Sequence, residues 1–164
     1  MRLRTKYEGL FANVRRKLFN GQPYLALYWS GLVQHRGEAP SAENWCKAGC
    51  AKVATSSKPM RPEDLRAHAD SLLYGRKWPV YLVTDEQDPE TLHKFRKLGF
   101  QFHAGQAFGL TSLEAFFADI YLYGCSAESS ISHSADAGLQ YFMLSWQHHA
   151  KGANICDEVA TRIA

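Results

Sequence analysis

VYLVTDEQDPETLHKFRKLGFQFH, residues 80–103, is the stretch whose reading decides the fold. Val80–Val83 is a short apolar run after Pro79, the pattern of a buried strand. Asp88 and Pro89 then open a helix whose apolar positions Leu92, Phe95 and Leu98 stop at Gly99. Phe100–His103 follows as a third brief strand. A strand, a helix and a strand at this spacing form one unit of a parallel sheet.

Upstream, Pro62, Glu63 and Asp64 put proline and two acids in the first turn of a helix, with Leu65, Ala69, Leu72 and Leu73 as its apolar face and Gly75 at its end. Tyr24–Trp29 (YLALYW) is almost wholly apolar, as expected of a strand buried on both faces. Before it, Leu3, Tyr7, Leu10, Phe11, Val14 and Leu18 recur at helical spacing, and Gly21 and Pro23 end that helix. Between Ser30 and Pro62 the composition turns to loop-forming residues, with room for a helix over Ala42–Val53. Downstream, Thr111 and Glu114 have capping-box spacing ahead of a short helix. Ile120–Tyr123 is expected to resume as strand, and Gly124–Ser134 to form a loop. The whole chain, residues 1–164, is therefore expected to be a single α/β unit with a parallel sheet.

The bulk properties exclude several functions. The 164 residues are 46% apolar and 13% aromatic, which suits one globular core, and no stretch approaches the roughly 20 apolar residues of a membrane helix. The net charge is +3, with Arg2, Arg4, Lys6, Arg15, Arg16 and Lys17 interleaved with apolar residues. That is too little to indicate a nucleic-acid partner. The N-terminus lacks the ~7–15 apolar residues of a signal-peptide core, which on its own points to the cytosol. Cys46 and Cys50 are spaced C-x3-C, unlike paired zinc knuckles, so no metal site is expected. A disulfide among Cys46, Cys50, Cys125 and Cys156 is open to a chain that matures in an oxidising compartment.

Ligands of parallel α/β sheets bind beyond the carboxyl ends of the strands. Three segments meet that rule: the residues after Trp29; Thr84, Asp85 and Glu86; and the stretch after Tyr123, GCSAESSIS. In the last, Gly124 and the hydroxyls and amides of Ser129, Ser130 and Ser132, feeding a helix start, make a cradle for phosphate oxygens. A solvated turn has the same composition, and Asp85 equally suits a capping role. The serines 126–134 lack the G-x-S-x-G elbow of an α/β hydrolase. Adjacent His148 and His149 point in different directions and do not share one metal ion readily. Trp45, Trp78 and Trp146 suit either stacking on a base or sugar, or core packing.

The order VYLVTDE, helix, short strand, helix, ADIYLYG and SSIS resembles the C-terminal half of the GDP-fucose protein O-fucosyltransferases. In that family a strand end "TD", an "aD" segment closing on glycine, and "S-[ST]-F-S" follow one another. Thr84 and Asp85 match the first, Ala118, Asp119 and Gly124 the second, and Ser129, Ser130 and Ser132 the third, with Ile131 in place of phenylalanine. PYLALYW and QHRGEAPSAE are similar to the family's "PYLavHwRrgD" strand and the segment after it.

The resemblance implies a Rossmann-like sheet equivalent to one lobe of a GT-B glycosyltransferase. It implies an inverting, metal-independent transfer of fucose from GDP-fucose to a Ser or Thr hydroxyl of a protein acceptor, with no cofactor beyond the donor. The donor-binding residues would be Asp85, Gly124, Ser129, Ser130, Ile131 and Ser132, and residence in the ER or Golgi lumen follows. The chain departs from the pattern in β-phosphate recognition: Tyr28 stands at the family's histidine and Ser30 at its arginine, and serine cannot neutralise charge on departing GDP. Arg36, a few residues on, is the one candidate substitute. No counterpart of the family's N-terminal acceptor lobe is recognisable. Two readings follow, an O-fucosyltransferase and a nucleotide-binding or scaffold protein of the same fold without transfer activity.

Overall fold

The computed structural model describes residues 2–31, 60–131, 143, 145–150 and 156. In chain order the elements are α1 (Arg2–Phe19), β1 (Leu25–Trp29), α2 (Pro62–Leu73), β2 (Val80–Thr84), α3 (Pro89–Lys97), β3 (Phe100–Phe102), α4 (Ala104–Ala107), α5 (Ser112–Gly124) and β4 (Glu128–Ile131). Residues 145–150 are helical. The expected helix over Ala42–Val53, together with His35, Arg36, Trp45, Cys46, Cys50 and Ser132, lies outside the described residues.

The helix ends form as their residues dictate. Asp88 caps α3 by accepting from the Thr91 amide, and Thr111 and Glu114 close a full capping box at α5, satisfying amides that the first turn leaves without partners. Pro62 sits in the first turn of α2 with Glu63 and Asp64.

The four strands are all parallel, in the order β3-β2-β1-β4. Every residue of β1 and β2 is buried, because helices cover both faces. On one face Leu25, Leu27, Trp29, Val80 and Leu82 pack with Leu65, Ala69 and Leu73 of α2 and Phe95 of α3. On the other Ala26, Tyr28, Tyr81 and Val83 pack with Phe11 and Val14 of α1 and Ala118 and Leu122 of α5. Tyr24, ahead of β1, stacks on Phe19 at 3.8 Å between ring centroids and donates to the Leu122 carbonyl at 2.6 Å, tying the start of the sheet to both helices.

Two expectations are corrected. Ile120–Tyr123 is the last part of α5, not a strand. It is apolar on every side because the sheet covers one side and Trp146 the other, its indole Nε1 donating to the Ile120 carbonyl at 2.8 Å. A continuous apolar run does not distinguish a buried helix from a buried strand. Conversely, Glu128–Ile131, expected within a loop, is the edge strand β4. Its polar residues are only half-buried, and pairing with β1 outweighs their weak strand preference.

Candidate functional site

β1 leads to α2 on one face, whereas Met143 and Trp146, which follow β4, pack with α1 and α5 on the other. The described elements that follow these two neighbouring strands therefore lie on opposite faces of the sheet. That divergence is the topological switch point at which open α/β sheets bind ligands. The candidate site is the carboxyl edge around it, formed by Ser30 and Gly31 after β1, Thr84–Glu86 at the end of β2, His103 after β3, and Ile131 at the end of β4.

Asp85 ties two of these exits together. The Ser30 hydroxyl donates to its Oδ2 at 3.0 Å and the Gly31 amide to its Oδ1 at 2.5 Å. Glu86 is 3% exposed and holds the next turn: its Oε1 accepts from the amides of Gln87 and Asp88, each at 2.8 Å, while its own amide donates to Thr84 Oγ1 at 3.1 Å. A β-carbon on Gly31 would stand 2.8 Å from Glu86 Oε2 and 3.1 Å from Glu86 Cα, so the β1 exit passes the carboxylate only as glycine. His103, half-buried, places Nε2 3.2 Å from the Thr84 carbonyl oxygen. The β2 end is thus rich in hydrogen-bond acceptors and negative charge.

The residues singled out from sequence divide into separate places. Asp85 is at the carboxyl edge. Gly124 ends α5 at the opposite, amino edge, where a β-carbon would meet Trp146 Nε1 at 2.4 Å, so it serves close packing. Ser129, Ser130 and Ile131 lie along β4 and do not open a helix. Ser130 Oγ is 3.0 Å from His68 Nε2 of α2. The Ser129 hydroxyl lies near that of Tyr123, and both are buried with no other hydrogen-bond partner among the described residues. Burial raises the Tyr123 phenol, with the Ser129 hydroxyl opposing. Of the three, only Ile131 reaches the carboxyl edge. Ser132 and Arg36 lie outside the described residues. Tyr28 and Ser30 are both buried.

Asp119 lies below the site. Its Oδ1 accepts from the Tyr81 hydroxyl at 2.6 Å, and that hydroxyl also accepts from the Ala104 amide at 3.1 Å. Burial raises the Asp119 carboxyl to about 7, and the Tyr81 hydrogen bond opposes the shift. Cys125, just past α5, is joined by a disulfide to Cys156. His148 and His149 are both exposed.

The sequence places Glu86 with Thr84 and Asp85 at the ligand edge, but reads His103 only as the end of a strand. Glu86 adjoins the Thr84–Asp85 pair and was visible by position. A histidine directly after a strand's carboxyl end is the signal that could have found His103.

Comparisons with protein-family models, curated proteins and solved structures return no match for this chain. Among the described residues, no helix is long and apolar enough to cross a membrane.

Proposed function

We propose that this chain is the donor-nucleotide-binding lobe of a glycosyltransferase-type protein, taking GDP-fucose at its carboxyl edge for transfer to a protein hydroxyl. The observation that carries the reading is the divergence of β1 and β4 beside the Asp85 clamp, the position where sheets of this type hold nucleotides. The choice of nucleotide sugar and of a GT-B partner lobe rests on the resemblance. The Cys125–Cys156 disulfide supports maturation in an oxidising compartment such as the ER or Golgi lumen.

Calorimetric titration with GDP and GDP-fucose, against GDP-mannose and UDP, tests this. We expect saturable, guanine-selective binding, weakened roughly tenfold by Asp85→Asn, which removes the charge that orders the β1 exit. A folded chain that binds none of the four would overturn the reading.

A second reading, binding without transfer, is favoured by Ser30. Its hydroxyl is uncharged and already given to Asp85, so it supplies no positive charge to a departing diphosphate. Under that reading GDP-fucose binds but no fucose is released or transferred, as measured by GDP formation.

A further inference from the structure

Leu113, Phe116, Phe117 and Ile120 recur along one face of α5. The two halves of this apolar stripe meet different surroundings. Ile120 is buried, and its carbonyl accepts from the Trp146 indole at 2.8 Å. Leu113, Phe116 and Phe117 are 66%, 52% and 49% exposed, with the two phenyl rings edge to face at 5.6 Å. The helix itself does not need them there: its first turn is held by the Thr111–Glu114 box, and Ala118 and Leu122 supply its core side. An aromatic side chain buries roughly 150–250 Å², so the bare half of the stripe amounts to about 300 Å², a size at which surface patches are often functional.

The charge beside the patch is positive. Residues 104–118 include a single ionisable side chain, Glu114, and its carboxylate turns back to Thr111, accepting from the amide and the hydroxyl at 3.0 Å each. α1 supplies the cations. Its Phe11 packs on Tyr121 in the second half of α5, at 5.9 Å between ring centres, and farther along Lys17 holds its Nζ 5.3 Å from the centre of the Phe108 ring. Phe108 closes α4, which packs on the first half of α5: a β-carbon on Gly105 would stand 2.5 Å from Ala115 Cα. α1 and α5 therefore run in opposite senses, and Arg16 and Lys17, both exposed, stand toward the end of α5 that carries Leu113, Phe116 and Phe117.

We propose that this face docks on an anionic lipid surface, with Leu113, Phe116 and Phe117 entering the boundary of the acyl layer and Arg16 and Lys17 meeting headgroup phosphates. Leucine and phenylalanine flanked by cations are what a membrane interface takes up, and each cation near a negatively charged leaflet adds attraction. A second copy of the chain is the less suited occupant on two counts. Stable protein pairs bury about 800 Å² per partner, well beyond the patch, and a twofold pairing here would bring the Arg16 and Lys17 of both copies together. Docking of this kind is independent of what the carboxyl edge binds.

The test is flotation of the intact chain with vesicles of phosphatidylcholine alone and of phosphatidylcholine with about one quarter phosphatidylserine, for wild type, Phe116→Ser/Phe117→Ser and Arg16→Glu/Lys17→Glu. All the replaced side chains are exposed, so each variant should melt within about 4 °C of wild type by circular dichroism. Leu113→Gln carries the apolar arm if the double phenylalanine variant melts lower. The expected result is wild-type binding to the phosphatidylserine vesicles, reduced roughly tenfold or more by loss of the phenylalanines, and a preference for those vesicles that disappears on charge reversal. Equal wild-type binding to both vesicles, or none to either, overturns the assignment, as does a folded phenylalanine variant that binds like wild type. Wild-type self-association in sedimentation velocity that the phenylalanine substitutions abolish, without vesicle binding, also overturns it and gives the face to a second copy.

Discussion

At Gly31 the candidate site has least room. A methyl group there meets both the side chain and the backbone of Glu86, and Glu86 cannot withdraw without releasing the amides of Gln87 and Asp88. Gly31→Ala is therefore expected to cost about 1–3 kcal/mol by overpacking, read as a lower urea midpoint with unchanged slope. Asp119 makes a different prediction. Its folded carboxyl, raised to about 7 by burial, binds a proton more tightly than in the unfolded chain, where it titrates near 4. Its contribution to stability is complete below about pH 4 and disappears as pH rises through about 7, with a slope of at most about 1.4 kcal/mol per pH unit. Urea titrations across this range should show the decline in wild type and a flatter profile in Asp119→Asn. Equal slopes in the two would contradict the assignment.

At the scale of elements, the parallel core was legible and its periphery was not. Val80–Val83, Tyr24–Trp29 and the helices opened by Pro62 and Asp88 are set by local signals, namely apolar runs, breakers and caps, and each formed where those signals put it. β4 and the end of α5 depend on what lies beside them. ESSI has no strand pattern of its own and becomes one because β1 offers an open edge, while Ile120–Tyr123 stays helical under Trp146. The candidate site follows the same division. Asp85 was visible as the end of a buried strand, whereas the serines were assigned to a helix start that β4 replaces. His103 reads in sequence as the last residue of a strand, and its position just past β3 shows only once the strand's end is seen. Thr111→Ala tests the local part: it removes the acceptor for the Glu114 amide and should cost about 1 kcal/mol, seen as earlier thermal unfolding.

For the molecule as a whole, the disulfide is the main covalent restraint among the described residues. Cys125 and Cys156 are 31 residues apart, and the segment they enclose contains β4 and the residues that follow it. On a chain-entropy basis a loop of that size contributes about 3–4 kcal/mol. The double variant Cys125→Ala/Cys156→Ala should lose that much in denaturant unfolding, and reduction of wild type should reproduce the loss. A variant as stable as the oxidised parent would mean that Trp146 and its neighbours hold this part of the chain without covalent help.

The strand order β3-β2-β1-β4 also shapes how the polypeptide is born. Among the described strands β1 is synthesised first, yet it ends with a partner on each side. One partner arrives with residue 80 and the other only with residue 128. Over that interval the flank of β1 that β4 covers in the folded chain awaits this partner, and closing so long a loop is slow. The late arrival of β4 makes the Leu25–Tyr28 edge the place where a holdase chaperone would act during synthesis, so yield is expected to rise when one is co-expressed.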